Sequence, residues 1–171
     1  MNTTPDFWQR NPRYRKPILA VLTVLALFHV LVPLRHHLLP GDVAWTEEGH
    51  RYSWRMMLRG KSGYGSFKVH YREPGDTTLQ IDRVQVRDSL KKKQYRKLWT
   101  HPDMVLQYAH HLRDSYRAQG YEDIEVYADI RVKLNGRKRH RYIDPERDLA
   151  KEEWSYFWVS DWILPEGERE D

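Results

Sequence analysis

Residues Pro17 to Leu34 form an unbroken run of eighteen uncharged, mostly apolar residues between Lys16 and Arg35, and nothing comparable recurs downstream. At about 1.5 Å of rise per residue a helix of this length covers roughly 27 Å, close to the roughly 30 Å hydrocarbon core of a bilayer. The run predicts a transmembrane helix over residues 17–38. It divides the chain into a basic flank (1–16), the span, an α+β domain (39–164) and a short tail (165–171). Arg10, Arg13, Arg15 and Lys16 precede the span, whereas Arg35 alone follows it closely. Short basic flanks stay cytoplasmic, which places the N-terminus in the cytoplasm and the domain in a periplasmic or other extracytoplasmic space, as a single-pass membrane protein. A cleavable signal peptide shares the basic start and apolar centre. Against it, the run exceeds an ordinary signal-peptide core, and Arg35-His36-His37-Leu38-Leu39-Pro40 has no small-residue cleavage site. A buried core helix is the other alternative. Pro33 predicts a kink, and His29, ionisable within the apolar run, implies a neighbouring helix in this chain or another.

Composition narrows the remainder. With 171 residues, 40% hydrophobic and 31% charged, there is room for one globular domain beyond the span. The absence of cysteine excludes disulfides, thiolate chemistry and Cys-based zinc sites. A net charge of +5 predicts attraction to anionic surfaces, first of all lipid headgroups or acidic polypeptides. Nucleic acid would need the opposite topology.

Downstream, turn clusters Gly63-Tyr64-Gly65 and Pro74-Gly75-Asp76 separate strand-like pieces around Tyr52 to Leu58, Ser66 to Tyr71 and Thr77 to Ile81, a meander pattern. Trp45 to His50 reads as a loop or short turn. Val105, Tyr108, Ala109, Leu112 and Tyr116 recur at helical spacing, with Thr100, Pro102 and Asp103 as start signals and Gly120 as the stop. Ile124, Val126, Ala128, Ile130, Val132 and Leu134 alternate with polar residues, the pattern of a strand with one buried face. Asn135-Gly136 then predicts a tight hairpin returning through Arg137 to Ile143. The expected fold is α+β: an N-terminal transmembrane helix followed by an antiparallel β-sheet with a long helix packed on it.

Chemistry-bearing residues are few. His36-His37 and His110-His111 are adjacent pairs whose side chains diverge by about 100° on a helix, so each reads as polar surface and no metal site is expected. The runs Lys91 to Lys97 and Arg137 to Arg141 offer a phosphate-contacting patch, or else a solvated helix start and a protected sheet edge. Five aromatics crowd Trp154 to Trp162, which suits a membrane interface, a membrane partner, or packing on the sheet. No phosphate-binding glycine loop, nucleophile elbow or pair of catalytic carboxylates is recognisable.

Trp45-Thr46-x-x-Gly49, then Tyr52-Ser53-Trp54-x-Met56-Met57, directly after a membrane helix, resembles the vitamin K-dependent gamma-glutamyl carboxylases and their bacterial relatives with a horizontally transferred transmembrane (HTTM) domain. His101-x-Asp103-Met104 with Gln107-Tyr108-Ala109, the strand Ile124 to Asn135, and Asp144-Pro145-x-x-Asp148 followed by Trp154-Ser155 match in the same order. The similarity runs from about Leu34 to Trp162.

The resemblance implies a multi-helix membrane enzyme in which reduced vitamin K, oxygenated by O2, becomes the base that removes a γ-proton from glutamate before CO2 adds. The family's membrane lysine lies upstream of the matched region and has no counterpart here; Lys61, Lys68 and Lys91 to Lys97 do not take its place. The chain is then expected to supply the last membrane helix and the lumenal domain, without the catalytic bundle. No cofactor is expected in this fragment; reduced vitamin K, CO2 and O2 belong to an intact family member. The expected partners are the lipid bilayer, membrane helices of another chain or of an upstream-encoded bundle, and a glutamate-containing peptide. A carbanion needs positive charge and exclusion of water, and a glutamate carboxylate needs a cation to orient it. Trp45, His50, Arg51, Tyr52, Trp54 and Arg55 supply those types just past the membrane exit and are the candidate substrate-binding residues; the catalytic residues stay unassigned. The alternative for these six is core aromatics with solvated arginines. For the whole chain the alternative is a non-catalytic anchored module that binds protein or peptide.

Overall fold

The first element is a helix, α1, from Pro12 to Leu34, in a computed structural model that describes residues 12–53, 55, 59–156 and 158–167. It starts earlier than the apolar run and includes Arg13, Arg15 and Lys16. Its eighteen-residue apolar window has a mean hydropathy of 2.4 and is only 6% buried. The domain described here leaves α1 uncovered, unlike a core helix, and α1 is long and apolar enough to cross a membrane. Pro33 lies in its last turn. The chain tightens there into a 3₁₀ turn, Arg35–Leu38, in which His36 Nδ1 lies 2.6 Å from the Pro33 carbonyl oxygen. His29 Nδ1 lies 2.7 Å from the Leu25 carbonyl oxygen, so the helix itself serves one ring nitrogen and the argument for a neighbouring helix loses that support.

A one-turn helix, α2 (Val43–Thr46), follows, capped by Asp42, whose carboxylate accepts the Ala44 N–H at 2.8 Å. The strands are β1 (Lys61–Arg72), β2 (Gln80–Val84), β3 (Glu122–Leu134) and β4 (His140–Arg141), antiparallel in the order β2-β1-β3-β4. Between β2 and β3 run α3 (Val86–Ser89), α4 (Lys92–Leu98) and α5 (Pro102–Ala118). The fold is α+β, with α5 laid on the apolar face of the sheet.

Periodicity explains that packing. Helix α5 buries Val105, Leu106, Tyr108, Ala109 and Leu112 along one stripe, and β3 buries Val126, Ala128, Ile130, Val132 and Leu134 on one face. Each Val, Leu or Ile among them stabilises the fold by about 1.5–3 kcal/mol on leaving water. Pro102 occupies the first turn of α5 and Gly120 ends it at φ +91°. The N-cap is His101, however, and Thr100 turns its hydroxyl to the Lys97 carbonyl instead.

Four local expectations are corrected. Gly63-Tyr64-Gly65 is no turn but part of β1. A Cβ at Gly63 would meet Trp99 O at 2.7 Å, and one at Gly65 would meet Asp129 O at 2.6 Å, so these glycines admit close neighbours rather than reverse the chain. The next strand starts at Gln80, later than Thr77. Tyr52 and Ser53 lie in a turn, not a strand, with Tyr52 at φ +65°; Trp54, Met56, Met57 and Leu58 are outside the described residues. Asn135 and Gly136 do take positive φ, at 49° and 76°, yet the ladder resumes only at Arg131↔Arg141 and Val132↔His140, leaving a longer loop. Asn135 is drawn to the other neighbour, its side-chain oxygen accepting the Gly60 N–H at 2.6 Å.

Candidate functional site

The segment after α1 divides into a buried half and an exposed half. Trp45 is 1% exposed: its indole N–H donates to Leu164 O at 2.7 Å and its ring meets Tyr142 edge-on at 5.1 Å. Its carbonyl accepts from Lys61 Nζ and, at 3.0 Å, from the Tyr142 hydroxyl. Lys61 is the first residue of β1, and its ammonium also meets Glu47 Oε1 at 3.2 Å, the Tyr142 hydroxyl at 3.0 Å and Thr100 O at 3.5 Å. Arg59 shares the Glu47 carboxylate. Burial drives Lys61 down to about 8 against the opposing pull of Glu47, and burial, then Glu47, holds the Tyr142 phenol well above its ordinary range. This is an internal polar cluster that ties α2 to β1 and to the chain beyond β4.

Gly49 closes that half. At φ +68°, a Cβ there would lie 2.8 Å from Leu39 and 3.0 Å from the His36 side chain, so only glycine lets the loop rest on the 3₁₀ turn. His36 is accordingly buried, not the surface residue expected. Glu48 is buried too, with Oε1 accepting the Ser160 N–H at 2.6 Å, and burial raises its carboxyl above the ordinary value.

The exposed half begins at His50, whose imidazole is held below its ordinary value first by burial and then by the charge of Arg59. Arg51 pairs with Asp103 at 2.5 Å and lies 5.7 Å from the Tyr156 ring, while its carbonyl accepts from Arg35 at 3.3 Å. Tyr52 is 76% exposed in a left-handed conformation that only a few per cent of non-glycine residues adopt. Arg35, Arg51, Tyr52 and Tyr156 line an open cleft of about 580 Å³ beside the exit of α1. Of the six candidates, Arg51 and Tyr52 share this cleft, His50 is next to it in sequence, Arg55 is half-buried, and Trp45 belongs to the core. Trp54 falls outside the described residues. Arg35 and Tyr156 were missed; the basic residue at the span's end and the aromatic tail were the signals for them.

Other candidates resolve into structure. His110 Nε2 lies 2.9 Å from Glu152 O, apart from any metal-ligand set; among the described residues no group of histidines and carboxylates could hold a metal. The second basic run is dispersed: Arg137 pairs with Glu166, Arg139 stacks on Tyr64 at 4.6 Å, and Arg141 meets Asp129 at 3.4 Å. Asp148 accepts the N–H groups of Val126 at 2.9 Å and Ala150 at 3.0 Å, so the aspartate-proline segment clamps the start of β3. The aromatic tail is split: Trp162 is in the core, whereas Tyr156 and Trp158 face outward.

An apolar helix followed by an α+β domain, with a cation-lined cleft where the two meet, defines an extramembrane domain carried on a membrane-type helix. Residues 14–169 match the family model described as the lumenal domain of vitamin K-dependent gamma-carboxylase, and the chain belongs to that family. No solved structure matches the chain. Reduced vitamin K, implied by the family's name, finds no fitting base around Lys61: that ammonium is enclosed by Glu47, Trp45 O, Thr100 O and Tyr142, and it lines none of the clefts described.

Proposed function

We propose that α1 crosses the membrane with its N-terminus cytoplasmic, and that the segment from His50 to Arg55, through its exposed Arg51 and Tyr52, helps orient a glutamate-containing substrate at the membrane surface of a carboxylase-like protein. Proton abstraction and CO2 addition are assigned to membrane helices other than α1. The observation that carries the reading is the cleft of Arg35, Arg51, Tyr52 and Tyr156, because it combines exposed cationic and aromatic groups with a strained backbone at Tyr52. Arg51 presents a planar guanidinium to a carboxylate, and Asp103 already occupies part of it. A substrate glutamate therefore competes with Asp103.

That competition supplies the test. Full-length protein in nanodiscs is titrated with a glutamate-containing peptide and with its glutamine counterpart. The expected result is preference for the glutamate peptide, weakening by roughly tenfold in Arg51→Ala, as for loss of about 1.4 kcal/mol, and tightening in Asp103→Asn. Equal affinity of wild type and Arg51→Ala for the glutamate peptide overturns the proposal.

A further inference from the structure

Eight large apolar side chains outside α1 are exposed among the described residues: Leu38, Tyr52, Tyr64, Leu79, Ile81, Tyr156, Trp158 and Val159. Five of them gather where α1 ends. Leu38 is 85% exposed and Trp158 78%, values that a domain surrounded only by water would leave costly. The two are not neighbours in sequence. Arg35, Leu38, Leu39 and Pro40 nevertheless line one apolar groove together with Tyr156, Trp158 and Val159, so the loop after β4 has been brought down to the residues that leave the span. The Trp158 N–H donates to Ser155 Oγ at 3.1 Å, and the Glu48 carboxylate receives the Ser160 N–H, which holds the loop at both ends. Arg35 and Arg51 flank the aromatic residues in the adjoining cleft.

We propose that Leu38, Tyr52, Tyr156, Trp158 and Val159 form a second membrane contact, seated in the headgroup layer of the bilayer that α1 spans, with Arg35 and Arg51 at the level of the lipid phosphates. The inference rests on α1 spanning the membrane and is independent of any substrate. Two arguments select lipid as the occupant. The patch begins at Leu38, one 3₁₀ turn after the exposed apolar helix α1 ends at Leu34, and its composition of tyrosine, tryptophan and arginine is the one that headgroup regions favour, with ring edges and guanidinium groups meeting water and phosphate while apolar parts meet acyl chains. The loop thereby fixes the domain's tilt on the membrane and orients the mouth of the arginine cleft along the bilayer surface.

The chain contains no cysteine, so single-cysteine variants carry a nitroxide at one chosen position. Val24→Cys reports on the span, Val159→Cys on the patch, and Thr77→Cys on the turn at the opposite end of β1. Collision rates with oxygen and with a water-soluble nickel complex are measured for each in full-length protein in nanodiscs containing anionic lipid. The expected order of the oxygen-to-nickel ratio is Val24 highest, Val159 intermediate and several-fold above Thr77, with Trp158→Ala moving the Val159 label toward the aqueous value. A Val159 label as aqueous as Thr77, while Val24 is deep, overturns the second contact and leaves the span intact. A Val159 label shielded from both reagents overturns it in favour of a covering protein. An aqueous Val24 label removes the spanning helix itself and the contact with it.

Discussion

Trp45 to Gly49 and His50 to Tyr52 are adjacent in sequence and opposite in physical character. The first stretch spends its polar groups inside the molecule: the Trp45 carbonyl, Glu47, Lys61 and Tyr142 serve one another, and Gly49 packs against His36. The second turns its groups outward, where Arg51 is half exposed and Tyr52 is left uncovered by the domain. A motif that reads as one site thus contains two functions, a foundation and a surface. Only the surface half is able to meet a ligand, and it does so because the other half anchors it.

The widest separation between the two is expected from Trp45→Ala, which empties a large core position and costs about 3–5 kcal/mol, read as a lowered denaturation midpoint. Glu47→Gln comes next: it leaves the buried Lys61 ammonium without its carboxylate and costs about 3 kcal/mol or more. The same variant shifts Lys61 further below its value of about 8, measurable by NMR titration of the side chain. Glu48→Gln has a pH signature. Burial raises the Glu48 carboxyl, so its contribution is fully present below the ordinary carboxylate value and is lost as pH rises through the raised one. The variant is expected to gain stability relative to the parent at neutral pH and to lose that advantage in acid, as followed by denaturant titrations across pH. Smallest is Arg51→Ala, whose partly exposed pair with Asp103 is worth about 0–1 kcal/mol, so stability barely moves while glutamate-peptide binding falls. A large loss of stability in Arg51→Ala would place it with Trp45 and erase the division.

How much of this was legible in the sequence depends on how far away the deciding partner lies. Helix α5 and strand β3 were readable because their burial repeats at short, regular spacing and is decided by one face. Gly63 and Gly65 misled because the atoms that require them, Trp99 O and Asp129 O, lie dozens of residues downstream. Asn135-Gly136 announced the reversal but not the loop length, since Asn135 pairs toward Gly60 as well. At the site, the arginines and Tyr52 stood out by type and by their place after the span. Trp45 looked identical in kind, and only the Leu164 carbonyl and the Tyr142 ring assign it to the core. Tyr156 joined the cleft from a hundred residues away, which no local pattern reports.

The pairing of β1 with β3 has a consequence for how the chain is made. These central strands run antiparallel from Lys61↔Leu134 to Arg72↔Glu122, so their nearest paired ends enclose a loop of roughly fifty residues whose closure entropy precedes any reward from contact. During synthesis at about 5–20 residues per second, β1 waits several seconds with one edge bare. Only β2 is then available to pair with it, on its other side. At Gly63 and Gly65 that waiting strand has no side chain to shield its open edge, the condition in which an unpaired strand pairs most readily with another chain.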